Sequence, residues 1–189
     1  MDKELEYRAR AAAILRNDLW RLHLLDLVAN LGLPDCWIAA GFVRNAVWDD
    51  LHDRPPSPLI TDVDVIWFDP TCGYAQRDRE LEASLLRAEP STHWSVKNQA
   101  RMHTRNADAP YTSATDAMRY WPETATAVAA RLSNCSDIEI ASPLGLEDLF
   151  GLVLRPAGRF ATEKREIYEN RVAHKQWLDS WSLLRRATD

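Results

Sequence analysis

The sequence predicts a mixed α/β fold of the α+β kind: a small mixed β-sheet with helices packed mainly on one face and a helical C-terminal segment. Apolar residues at helical spacing occupy both ends of the chain. Between them, short β-branched and aromatic runs alternate with further helical stretches, an order that small layered sheets produce. With 189 residues, 46% of them apolar, the chain can bury about 70% of the surface its unfolded form exposes. It therefore needs neither disulfide nor metal merely to fold. One domain over residues 1–189 is expected, with a core at about 36–155.

Leu5, Ala9, Ala12, Leu15, Leu19, Leu22, Leu25 and Val28 recur every three or four residues, predicting one amphipathic helix over residues 2–29. Asn30, Gly32 and Pro34 end it. Cys36, Trp37, Ile38, Ala39 and Ala40 read as a strand, and Gly41 opens a second helix carrying Phe42, Val43, Val47, Trp48 and Leu51. Pro55, Pro56 and Pro58 exclude helix and interior strand, so residues 59–68, β-branched and aromatic, form the central strand. Residues 74–88 read as helix and 93–103 as strand, while Ser113 and Asp116 carry an N-cap signature for a helix to about Tyr120. Two weaker strands, 124–132 and 137–140, are joined by Ser133, Asn134 and Ser136. Helices near 145–154 and 162–186 close the chain.

Composition removes several classes of function. No run approaches the ~18 to 20 apolar residues of a membrane span, and the charged N-terminus has no apolar core behind it, so a cytoplasmic protein without signal peptide or membrane partner is expected. Cys36, Cys72 and Cys135 are too scattered for a disulfide framework or a cysteine-bound zinc. The net charge is -5, with 8 basic and 5 acidic side chains in residues 151–189. A basic tail can touch an anionic partner, but a solvated helix face accounts for it equally well, and a long nucleic acid is not expected.

Asp62 and Asp64 are the sharpest feature. Alternation along a strand aims both carboxylates at one side and Val63 and Val65 at the other. Two adjacent like charges repel, and a divalent cation between them removes the penalty; hard oxygen ligands of this kind suit Mg²⁺ or Mn²⁺. Taken alone, such a pair is also what a solvated strand edge presents. Upstream, however, Ala39-Ala40-Gly41-Phe42-Val43-Arg44-Asn45 is a strand that turns into a helix, where free N–H groups and the positive dipole end welcome an anion. Arg44 in that first turn can fork onto a phosphate oxygen. A phosphate-accepting turn followed by a metal-holding carboxylate pair is what nucleoside triphosphate chemistry requires.

The stretch AGFVRNAVWDDLHDR followed by TDVDV resembles the nucleotidyltransferase superfamily, with its polymerase-beta-like fold, and particularly the glycine, valine-arginine, then DxD arrangement of CCA-adding enzymes. WSVKNQARMH, NADAPYTSATDAMRYWPETATAVAARL and SPLGLEDLF are similar to a bacterial nucleotidyltransferase-like protein family, and the resemblance spans about residues 37–155. It implies that Asp62 and Asp64 are catalytic and bind Mg²⁺ or Mn²⁺, that Gly41 holds the tight turn beside the triphosphate, and that Arg44 and neighbouring Asn45 belong to the nucleotide site. It also implies transfer of a nucleoside monophosphate from a nucleoside triphosphate to a hydroxyl, the acceptor being a small molecule, a nucleotide or a protein.

The sequence departs from that pattern in three places. Ala40-Gly41 stands where the superfamily has Gly-Gly or Gly-Ser, the Pro55 to Pro58 loop lengthens the step to Asp62, and residues 95–103 carry no third carboxylate. Glu139 is the only other carboxylate in a comparable strand and is a candidate third metal ligand, with Asp137 and Asp148 as further candidates. On an extended 93–103 strand, Lys97 and Arg101 would face the cleft with Gln99 and His103, either clamping phosphate or forming a solvated face. Trp121 is read as core or as a base-stacking platform. Without a third carboxylate, the alternative is a catalytically reduced nucleotide-binding or protein-interaction module on the same fold.

Overall fold

Two helices begin the chain where the apolar period predicts one: α1 (Lys3–Asn17) and α2 (Leu19–Ala29). Asp18 separates them. Its backbone is extended, and its carboxylate accepts the N–H groups of Trp20 and Arg21, each at 3.1 Å. Apolar periodicity runs through the break because it reports which face is buried, whereas the capping carboxylate decides where the helical bonds stop. Asp18 also pairs with the buried Arg21, whose Nε donates to the Phe42 carbonyl.

A computed structural model describes residues 2–58, 62–133 and 135–188. Next come β1 (Trp37–Ala39), α3 (Gly41–Leu51), β2 (Val63–Trp67), α4 (Ala75–Ala88) and β3 (Trp94–Asn98). They are followed by α5 (Met102–Asn106), α6 (Ala114–Met118), β4 (Ala129–Leu132), β5 (Ile138–Ala141) and α7 (Glu147–Phe150). Last are β6 (Val153–Leu154), α8 (Arg165–Lys175), α9 (Trp177–Ser180) and β7 (Arg185–Arg186). Leu59, Ile60 and Thr61, expected to start a strand, lie outside the described residues, as does Asn134 of the expected turn.

The main sheet has the order β3-β2-β1-β4-β5, with β2 and β3 parallel and the other pairs antiparallel. The central strand is thus the three-residue β1, not the run containing Asp62. Strand length does not decide position; β1 is flanked on both sides because its three residues are all buried. One sheet face, bearing Ile38, Val63, Val65, Val96 and Ala130, packs on α1 to α4 in the larger core. The other face carries a smaller cluster in which Trp37, Ala39, Ile66 and Ala129 meet Ala114 and Met118 of α6.

The strand expected over 93–103 stops at Asn98. There the Asn98 side chain accepts from Ala100 N–H at 3.0 Å and caps a 3₁₀ turn, Gln99–Arg101, that runs into α5. The helix expected over 145–154 is one turn, α7, followed by β6. That over 162–186 is broken at Gln176, which has φ 50° and separates α8 from α9, and the chain ends as β7 against β6.

The C-terminal segment is stitched to α3. Trp48, fully buried, packs edge-on against Trp177 and Trp181 with ring centroids 5.9 and 5.2 Å away. Trp181 Nε1 donates to Asp49 Oδ1 at 2.9 Å, and Asp49 also accepts from the Ser57 backbone and hydroxyl. Helix α3 therefore anchors both the proline-rich loop and the C-terminal segment. No helix among the described residues is long and apolar enough to cross a membrane.

Candidate functional site

The turn from β1 into α3 is made by Ala40, at φ 55° and ψ -121°. That region strongly favours glycine. The expectation that Gly41 holds the tight turn is thus displaced by one residue: Ala40 carries the unusual backbone, and Gly41 is the first helical residue. The turn is locked by Ala40 N–H donating to Val128 O at 2.8 Å, and by Arg44 N–H donating back to Ala40 O at 2.9 Å. Gly41 leaves its face open beside Arg44, whose Nη2 would lie 3.4 Å from an added Cβ. Val43 N–H also donates to Ala40 O at 3.2 Å, which leaves the N–H groups of Gly41 and Phe42 as those at the helix start without an intrahelical acceptor.

Antiparallel register brings the carboxylates to this turn. Ala39 pairs with Asp64, so Asp64 stands across from the residue before Ala40 whatever the length of the intervening loop. Val63 and Val65 face the larger core, as alternation predicts, while Asp64 takes the opposite face and Asp62 is exposed just ahead of the strand. Burial, and then the charge of Asp62, push the Asp64 carboxyl above its ordinary range; Ser95, Arg171 and Arg44 act against that rise.

Arg44 is 6% exposed and lies between two indoles, its guanidinium 4.9 Å from the Trp48 ring centroid and 4.4 Å from that of Trp177. Its nitrogens donate to Asn45 Oδ1 at 2.8 and 3.2 Å and to Thr126 Oγ1 at 3.0 Å. Burial lowers its pKa to about 10, opposed by the nearby Glu123 carboxylate. Asn45 thus serves Arg44, orienting it toward the cleft.

Ala40, Gly41, Arg44, Asp62 and Asp64 line one cavity of about 400 Å³ together with Arg171, Lys175 and Trp177. A second cavity, of about 260 Å³, adjoins it at Ala40, Asp64 and Arg171, and is lined further by Ser95, Lys97, Gln99 and Trp121. Arg171 and Lys175 fall within the helix expected over residues 162–186 and were not among the expected site residues. Their only sequence signal was the basic excess after residue 150. Ser95 lies opposite Asp64 in the β2–β3 register.

Two expected residues stand elsewhere. Arg101 pairs with Asp78 of α4, which also accepts from Trp67 Nε1 and Asn98 N–H, and it lines neither cavity. The strand that would have aimed it at the cleft ends at Asn98. Glu139 on β5 shares the sheet face of Asp64 but lies three strands away and pairs with Arg131 at 2.7 Å. At ~4.8 Å per strand it cannot reach the same ion. Lys97 lines the second cavity while its Nζ donates to Glu82 at 2.7 Å. His103 is in α5, bonded to Ala100 O, not at a strand edge. Among the described residues, no three His, Cys, Asp or Glu side chains gather as a metal cluster.

A strand-turn-helix with a carboxylate on the neighbouring antiparallel strand, in a five-stranded mixed sheet, defines a nucleotidyltransferase fold. A solved structure described as revealing a CCA-adding enzyme head domain is 38% identical, with a TM-score of 0.81 over 93% of this chain and 95% of that one. A tRNA-processing enzyme in apo form I is 16% identical with a TM-score of 0.53, a likeness of fold alone; the match covers 88% of this chain and 42% of that one. The family model for nucleotidyltransferases matches residues 26–186, and the chain belongs to that family. No curated protein matches it.

Proposed function

We propose that this nucleotidyltransferase moves a nucleoside monophosphate from a nucleoside triphosphate to a hydroxyl acceptor, using Mg²⁺ or Mn²⁺ held by Asp62 and Asp64. The observation that carries this reading is the shared cavity: Gly41 and Arg44 from the α3 turn, both aspartates, and Arg171 and Lys175 from α8 line one space. Cations and free N–H groups there suit a polyphosphate. The pair of carboxylates fits a hard divalent ion, because burial and mutual repulsion leave Asp64 short of positive charge. With two protein carboxylates, such an ion takes its other ligands from water and phosphate oxygens. When bound, it supplies charge neutralisation at the transferred phosphate.

The chain's own residues do the rest. Arg44, held rigid by Asn45, Thr126 and two indoles, presents its remaining N–H groups to phosphate without losing side-chain freedom on binding. The acceptor hydroxyl gives up its proton to solvent water as its oxygen forms a bond to the α-phosphorus, the bond to the bridging oxygen breaks, and pyrophosphate leaves toward Arg44 and Lys175. Lys97 and Trp121, on the second cavity, are placed to meet the nucleoside or the acceptor. The whole chain acts as one unit, since α8 and α9 contribute both to the cavity and to the core under α3. A cytoplasmic setting, where triphosphates and Mg²⁺ are abundant, fits this chemistry.

The net charge of -5 favours a small molecule, a nucleotide or a protein side chain as acceptor. A second reading, nucleotide binding without turnover, is favoured by Ser95 standing opposite Asp64 where a further carboxylate would extend the metal site. The deciding experiment titrates the four common triphosphates with Mg²⁺ into the native chain and into Asp62→Asn/Asp64→Asn, following melting temperature. A rise for the native chain alone is expected; no rise in either removes the site assignment. Pyrophosphate release with candidate hydroxyl acceptors then separates transferase from binder.

A further inference from the structure

Arg171 stands where the two cavities meet, and among the described residues it is the only basic one that lines both. Its Nε donates to Glu123 Oε1 at 2.8 Å, and its guanidinium lies 5.5 Å from the Trp177 ring centroid. No hydrogen bond among the described residues engages its two terminal nitrogens. With Nε committed, those nitrogens form the outer fork of the guanidinium, the geometry that grips a phosphate.

Glu123 is fully buried, and its second oxygen, Oε2, has no partner. Burial of a carboxylate is offset only by the groups that pair with it, and among the described residues the side chain hydrogen-bonded to Glu123 is that of Arg171. Glu123 sits on a firm base: Thr124 N–H donates to Arg155 O at 3.1 Å, the Thr124 hydroxyl donates to Asp148 at 2.8 Å, and Ala157 N–H donates to Pro122 O at 2.9 Å. The aim of Arg171 is therefore set from the 122–124 segment, bonded to residues 155 and 157, as well as from α8, which carries it.

We infer that Arg171 contacts the transferred phosphate and that Glu123 is the positioning residue that aims it, while Arg44 and Lys175, confined to the larger cavity, meet the leaving pyrophosphate. This rests on the nucleotidyl-transfer reading above. The buried, half-satisfied carboxylate is then the cost of a cation held in place before substrate arrives.

Calorimetric titration of inorganic tripolyphosphate with Mg²⁺ into the full chain tests it, because the probe carries no base. Arg171→Ala should weaken binding roughly tenfold or more. Arg171→Lys should recover only part, since an ammonium lacks the fork. Glu123→Gln should weaken binding in the native background and add nothing to Arg171→Ala, the non-additivity of residues acting as a unit. Arg171→Ala leaves Glu123 buried and unpaired, so melting temperatures accompany each titration; if that variant does not fold, Arg171→Lys and the double variant, which removes both charges, decide the matter. Native affinity in Arg171→Lys and the double variant, with loss in Asp62→Asn/Asp64→Asn, overturns this inference and leaves the transfer reading standing. Equal cost of Glu123→Gln in both backgrounds overturns the positioning role. Absence of binding by the native chain to either tripolyphosphate or nucleoside triphosphates overturns both readings together.

Discussion

Asp64 and Ser95 are register partners across the parallel β2–β3 ladder, and the Ser95 hydroxyl favours the charged form of the Asp64 carboxylate. That single hydroxyl does not offset burial and the neighbouring Asp62 charge, so the Asp64 carboxyl titrates above its ordinary range. With a raised value in the folded chain, the native state holds its proton where the unfolded state has lost it, and stability falls as pH rises through that window. Asp64→Asn should therefore melt higher than the native chain near neutral pH in divalent-free buffer. The difference should vanish below the carboxylate range, where both forms are neutral. Melting curves across acid to neutral pH check this; an equal or lower neutral melting temperature for Asp64→Asn would refute it.

Replacing Ser95 by Asp should have opposite effects with and without metal. A carboxylate facing Asp64 adds repulsion to a pair already short of positive charge, so the metal-free chain should lose stability. The same change supplies a further hard oxygen ligand, so Mn²⁺ affinity should rise. Calorimetry with Mn²⁺ and melting without it give the two signs, and a gain in neither metal affinity nor metal-dependent stability would count against the proposed metal position.

Ala40→Gly should stabilise the chain. Alanine at φ 55° and ψ -121° carries strain of about 1 to 3 kcal/mol, against which glycine adds about 0.5 to 1 kcal/mol of unfolded-state entropy. The net gain expected in urea unfolding is about 1 kcal/mol, with nucleotide binding unchanged because the backbone already adopts the glycine conformation. Destabilisation would mean that the alanine methyl packs well enough to outweigh the strain.

Arg101→Ala should cost stability and spare binding. Asp78 is 3% exposed and also holds Trp67 and the Asn98 backbone, so losing its cationic partner leaves a buried charge undercompensated. A loss of about 1 to 3 kcal/mol in chemical unfolding is expected, with tripolyphosphate affinity of the folded fraction unchanged. Glu139→Gln, which removes an exposed pair with Arg131, should cost no more than about 1 kcal/mol and leave Mg²⁺ dependence as it was.

What was legible in the sequence is what local physics decides. The strand-to-helix junction at Gly41, the inward Val63 and Val65 with Asp64 turned away, the Ser113 cap of α6 and the β4–β5 hairpin each depend on neighbours within a few residues. The family resemblance rested on the same local motifs, and the match over 26–186 agrees with it. Errors arose where one side chain overrides a continuing pattern: Asp18 splits an unbroken apolar stripe, and Asn98 turns an alternating strand into a 3₁₀ turn.

Only tertiary structure decided the rest. The Ala39 to Asp64 register puts motif and carboxylate together across a loop whose length carries no such information. The left-handed Gln176 breaks the C-terminal helix so that Trp177 and Trp181 can pack on Trp48, and that packing turns Arg171 and Lys175 toward the cleft. Glu139, equally plausible by strand pattern, is excluded by its place on the far edge strand. By itself the sequence determined the family and the local motifs, the two aspartates and the strand-to-helix turn at α3. Which cations share their cavity was decided by contacts between segments distant in the chain, because strand order and helix docking are set by the whole core and leave no periodic trace.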